Sequence, residues 1–113
     1  MINWNNLDTT TAYQELFDVA PVNLAEVMSG ENGADRVRKY SVPMAAGMAF
    51  NYAAKQVDED VLAALAKLAE EMQLAEKFEA LYNGAVINTG EKRMVLHHMT
   101  RGQLGQAVVV DGV

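Results

Sequence analysis

The chain has 113 residues, half of them apolar and 21% charged, which bounds it to one small domain and excludes a disordered polymer. Its net charge of −6 and pI near 4.7 argue against a general affinity for nucleic acid or an anionic membrane face. With no cysteine, disulfides, a thiolate nucleophile and cysteine metal ligands are all excluded.

The opening "MINWNNLDTTTAYQELF" has neither a basic lead nor an apolar core, so it does not read as a secretory signal. No apolar run approaches the length of a membrane span. The expectation is a soluble, cytoplasmic protein with no nucleic-acid or membrane partner.

In chain order, "LDTTTAYQELFDVA" predicts a first helix. A threonine in the Thr9–Thr11 group caps it, and Glu15 sits in its first turns. Tyr13, Leu16 and Phe17 share a face with Ala20 beside them, and Pro21 ends it. A second helix is expected from Asn23 to about Met28, stopped by Gly30. Val37, Lys39 and Ser41 then alternate with Arg38, Tyr40 and Val42, which suits a strand over 37–42. Pro43 and Gly47 interrupt it. In "MAFNYAA" the alanines favour helix, but Phe50 and Tyr52, two apart, favour a second strand.

The clearest pattern follows. Asp58 is an N-cap candidate, with Glu59 and Asp60 where the helix dipole favours acids. Val61, Leu65, Leu68 and Met72 recur at helical spacing, flanked by Leu62 and Ala69. A break near Gln73 leads to another helix in which Leu74, Phe78 and Leu81 share a face, with Tyr82 beside them. Gly84, after Asn83, is a C-terminal stop. The expected fold class is α/β and helix-rich: several helices with two or three short strands.

The stretch "INTGEKRMVLHHMTRGQLG", Ile87 to Gly105, carries the chemically suggestive residues. Adjacent helical residues point about 100° apart, so His97 and His98 do not converge on one ion as an i, i+4 pair would. They read as one packed and one solvent-facing histidine. "TGEKR" lacks the longer glycine-rich loop and the Lys-Ser or Lys-Thr ending of a phosphate cradle. Its plainer reading is a helix start, with Thr89 capping, Glu91 near the positive end and Met94, Val95 and Leu96 turned inward. Lys92, Arg93 and Arg101 lack the wider basic, aromatic surface of a nucleic-acid site. Glu70 and Glu71, with Lys67 nearby, read as a solvated helix face, since paired catalytic acids need a pocket that separates their pKa values. Met44, Met48 and Met72 read as core, or as surface covered by a partner. No set of nucleophile, base and oxyanion donors can be drawn. No catalytic, cofactor-binding or metal residue is assigned, and no cofactor is expected.

As a whole string, "INTGEKRMVLHHMTRGQLGQAVVVDGV" resembles a signature of the glucose-6-phosphate isomerase family, roughly I-N-x-T-E-x-R-A-V-L-H-x-A-L-R with a later V-D-G. Ile87, Asn88, Glu91, Arg93, Val95, Leu96, His97 and Arg101 match in order, and Val110, Asp111 and Gly112 match the tail. The resemblance extends upstream through "KYSVPMAAGMAFNYAAKQVDEDVLAAL" to cover about 36–113. Residues 1–35 resemble the family's variable N-terminal helices only loosely. Thr89, Gly90, Met94, His98, Met99 and Thr100 depart from the pattern, as a divergent branch would.

The resemblance implies the N-terminal segment of an α/β sugar-isomerase fold, in two parts, 1–35 and 36–113, ending before the first sugar-isomerase domain. It implies a cofactor-free parent that interconverts glucose 6-phosphate and fructose 6-phosphate, works as a homodimer and takes part in glycolysis and gluconeogenesis. The family's phosphate loop, glutamate base, ring-opening histidine and late lysine have no matching position in these residues. The segment is therefore expected to be inactive without the remainder of its parent chain, with Arg93, His97 and Arg101 as scaffold on a short helix that buries Val95 and Leu96. It is also expected to expose apolar surface. The rival expectation is a small acidic helical module that binds a partner protein without catalysis.

Overall fold

The structure, a computed structural model, describes residues 1–101, 105, 107 and 109. Among them are five α-helices and four short strands, the strands forming two separate antiparallel pairs. The chain divides into two compact units: residues 11–67, and residues 1–10 with 68–113. The α/β, helix-rich class holds.

In the unit of residues 11–67, α1 covers Thr11–Leu16, shorter than the sequence pattern, after a 3-10 turn at Leu7–Thr9. Helix α2 is Leu24–Val27, capped by the Asn23 side chain, which accepts the Glu26 N–H at 3.4 Å. Helix α2 ends at its cap Met28, where the sequence places the stop, and an extended Ser29 separates it from Gly30. Gly30 adopts φ +58° and opens α3, Gly30–Lys39. Glu31 sits in the first turn of α3 and Arg36, Arg38 and Lys39 in the last, the charge order that complements a helix dipole. Helix α3 approaches the end of α2 so closely that a Cβ on Gly33 would collide with the Met28 carbonyl oxygen.

The predicted strand over 37–42 is therefore corrected: its first three residues are the end of α3. Only Ser41–Pro43 is extended, as β1, and it pairs with β2, Ala49–Asn51, Val42 facing Phe50. The polar alternation that suggested a strand is equally the polar outer face of a helix, and the cation-rich last turn tips it to helix. The second predicted strand is present.

Helix α4, Glu59–Glu71, begins as expected, with the Val61 N–H donating to Asp58 Oδ1 at 2.9 Å. The division between the two units falls within α4. Gln73, at φ +53°, makes the anticipated break, and α5 follows at Leu74–Tyr82. Asn83 and Gly84 close α5: the Gly84 N–H donates to Leu81 and the Ala85 N–H to Ala80, with Gly84 at φ +84°. That pattern is a Schellman motif, which requires a left-handed residue where glycine stands.

The signature stretch then forms a hairpin, β3 Val86–Asn88 with β4 Arg93–Met94, followed by a 3-10 helix at His97–Arg101. This corrects the expected helix start at Thr89. Val95 is half-buried and Leu96 is 36% exposed, so the short helix does not bury them. Val110, Asp111 and Gly112 lie outside the described residues.

The apolar core is small: Ala12, Val22, Tyr40 and Ala53, all in the unit of residues 11–67. Among the described residues no large side chain is fully buried. Leu65, Leu74 and Phe78, expected on inward helix faces, are 40%, 59% and 65% exposed. Met44 and Met48 are likewise exposed. No helix among the described residues is long and apolar enough to cross a membrane.

Candidate functional site

The hairpin of the signature stretch is organised by Asn88. Its Oδ1 accepts the Glu91 N–H at 3.1 Å, and its Nδ2 donates to Glu91 Oε2 at 3.3 Å. An asparagine that bonds the backbone a few residues on fixes a tight turn. Lys92 takes φ +55° within it, and Arg93 lies 3.7 Å from the Glu91 carboxylate. Thr89, Gly90, Glu91 and Lys92 are all exposed. The backbone N–H of Glu91 is thus occupied by the Asn88 side chain.

The two histidines separate as the sequence reading had it. His97 is exposed, while His98 is half-buried and stacks on Tyr82 with ring centroids 4.6 Å apart. His98 Nε2 lies 2.8 Å from the Tyr82 carbonyl oxygen, which belongs to the last residue of α5. A helix end leaves carbonyls without intrahelical partners, and His98 meets one of them. Its role in this geometry is to fasten the 3-10 helix to α5.

A second constellation was not anticipated. Arg36 is 8% exposed, and its guanidinium donates to the carbonyls of Ala53 at 2.8 Å, Lys55 at 3.0 Å and Val57 at 2.6 Å. It also lies 4.5 Å from the centre of the Tyr40 ring, one helical turn on. The planar five-donor guanidinium gathers the loop between β2 and α4 as no other side chain could. The signal in the sequence was Arg36 and Tyr40 at i, i+4, but it is visible only once α3 is read as a helix. Beside it, Lys39 lies 2.8 Å from Glu59 Oε1, and the Tyr40 hydroxyl donates to the same oxygen at 3.2 Å. The hydrogen bond to Glu59, and then its negative charge, hold the Lys39 ammonium above its ordinary pKa. The hydrogen bond from Lys39, and then its positive charge, hold the Glu59 carboxyl below its own. Both side chains are largely exposed, so this is a surface ion pair.

These groups are engaged with one another and with the backbone. Arg36 is consumed by backbone carbonyls, and Glu70 and Glu71 are exposed on α4. Among the described residues no three His, Asp or Glu side chains converge to hold a metal ion. The geometry consists of helix caps, a clamp, a hairpin turn and a ring stack.

Comparison with known proteins assigns the family. The family profile described as "Phosphoglucose isomerase" matches residues 51–113, more than half of the chain. The chain belongs to the phosphoglucose isomerase family. It is 46% identical to the glucose-6-phosphate isomerase of Treponema denticola, over 99% of this chain and 22% of that protein. It is 50% identical to the enzyme of Treponema pallidum, over 88% of this chain and 19% of that protein. The Borrelia garinii enzyme is 37% identical, over 98% of this chain and 20% of its own length. The similarity thus reaches into the first 35 residues, which resembled the family only loosely. The chain spans about a fifth of the length of these curated relatives.

Proposed function

We propose that the chain is the N-terminal segment of a glucose-6-phosphate isomerase and acts as scaffold for a catalytic site built by the rest of that polypeptide. The observation that supports it best is the identity to phosphoglucose isomerases along 99% of this chain, set against about a fifth of their length. The parent would interconvert glucose 6-phosphate and fructose 6-phosphate by acid–base proton transfer through an enediol, without a cofactor. Its partners are the sugar phosphate, the remainder of the polypeptide and a second subunit of a cytoplasmic homodimer. Residues 1–35 and 36–113 are the family's variable lead and its signature-bearing segment. No catalytic, cofactor or metal residue belongs to these 113 residues in this reading.

The test is an assay of glucose 6-phosphate isomerisation by the 113-residue chain and by the complete product of its gene. The chain alone should give no rate above the uncatalysed one, and the complete product should turn over. A gene product that ends at Val113, or a longer one without isomerase activity, would contradict the proposal and favour the protein-binding module.

A further inference from the structure

The elbow between α4 and α5 holds a cavity of about 680 Å³ lined by Ala69, Glu70, Leu74, Ala75, Glu76 and Phe78. Leu74, Phe78 and Tyr82 stand at i, i+4 and i+8, so they form one stripe along α5. Tyr82 is met by His98, whereas Leu74 and Phe78 remain 59% and 65% exposed. Apolar side chains grouped this way on a concave surface mark a place where another element lies.

The elbow is pre-formed. Gln73 is held in its left-handed conformation from both ends of its amide: the Asn3 N–H donates to Oε1 at 2.7 Å, and Nε2 donates to the Met1 carbonyl at 3.2 Å. A groove fixed before binding loses less entropy on being filled. Its charge is one-sided. Glu70 and Glu76 are both exposed in the lining, and the nearby Lys77 ammonium lies 5.7 Å from the centre of the Trp4 ring instead. A second copy would set these carboxylates against a chain of net charge −6.

We propose that this groove receives an apolar segment flanked by lysine or arginine, supplied by the part of the isomerase polypeptide outside these 113 residues. The proposal rests on the function proposed above. The apolar knob fills the space between Leu74 and Phe78, and the flanking cations meet Glu70 and Glu76. About four fifths of the relatives' length lies outside the match, so such a segment has ample chain to come from.

The chain has no cysteine, which makes a site-specific test clean. In the complete polypeptide, with any other cysteines replaced, Ala75→Cys is joined by a short thiol-to-amine cross-linker and the products are mapped by mass spectrometry. The expected result is a cross-link within one polypeptide to a lysine beyond residue 113. Its yield should fall about tenfold in Phe78→Asp and in the double variant Glu70→Gln with Glu76→Gln, which removes the charges without adding an amine. The double variant changes only exposed charges, so it serves if Phe78→Asp fails to fold. A cross-link between two copies, one confined to lysines of the 113 residues, or none, would overturn the proposal. So would a yield that ignores both variants. Isomerase activity is measured on the same samples: its absence would strike the function while leaving the groove's occupant to the cross-link.

Discussion

Two regions of the molecule differ in how they are held. From α3 to the start of α4, buried Arg36 ties three carbonyls together, and Tyr40 and Ala53 pack around it. From α5 to the 3-10 helix, the fastenings are a helix cap, an asparagine turn and the His98–Tyr82 stack, all near the surface. In that second region Leu74, Phe78, Val86, Met94 and Leu96 are all at least 36% exposed. The first region is clamped around a buried guanidinium, although Val42, Met44, Met48 and Phe50 at its hairpin are exposed as well. The second keeps its geometry but leaves its apolar side chains without cover, as a surface does when it is meant to be buried by another part of a larger protein.

Substitutions can break or sharpen this contrast. The largest effect is expected from Arg36→Met, which strips three buried or part-buried carbonyls of their donor. It should cost about 3 kcal/mol or more and raise the rate of tryptic cleavage after Lys55 at least tenfold. Cleavage at the wild-type rate would mean that the clamp does not hold the loop. Gly33→Ala comes next, because its Cβ meets the Met28 carbonyl. Overpacking of this kind should cost about 1–3 kcal/mol, read from the urea midpoint.

In the second region the effects should be smaller. His98→Ala removes a ring stack and a bond to a helix-end carbonyl, worth roughly 1 kcal/mol, and should speed hydrogen exchange in residues 97–101 before it affects α3. In the 113-residue chain by itself, Phe78→Ser should change stability by no more than about 0.5 kcal/mol, yet reduce binding of an apolar dye, because there the side chain is already in water. A large loss of stability there would show that Phe78 is core.

The smallest effect concerns Lys39 and Glu59. The Glu59 carboxyl is held below its ordinary pKa, so its contribution is present above the unfolded carboxylate range and lost as pH falls through the folded value. The Lys39 ammonium is held above its ordinary pKa, so its contribution is present below the unfolded lysine range and lost as pH rises through the folded value. Between those limits a Lys39→Met variant should show a small, salt-screened difference from wild type that does not vary with pH.

What the sequence made legible was local. Asp58 capping α4, the break at Gln73 and the glycine after Asn83 follow from rules spanning a few residues, and each stands where expected. Helix α3 is hidden in the sequence because Val37 to Val42 satisfies a strand's alternation and a helix's outer face equally well. The Arg36 clamp joins residues 17 to 21 apart, beyond any local pattern. The turn at Thr89 resembles a helix cap in sequence because threonine serves both, and the deciding bond comes from Asn88. The apolar stripe of α5 was visible as a stripe, but periodicity does not say whether a stripe faces the chain's own core or a partner. Family membership was legible because it rests on an ordered string rather than on geometry.

The deciding question is whether the exposed apolar surface belongs to a larger protein. The most direct measurement compares binding of an apolar dye, together with the sharpness of urea unfolding, in the 113-residue chain and in the complete polypeptide. The chain alone should bind dye, self-associate or unfold over a broad range, while the complete polypeptide should bind little dye and unfold cooperatively. A chain that is monomeric, dye-free and sharply cooperative by itself would contradict the account.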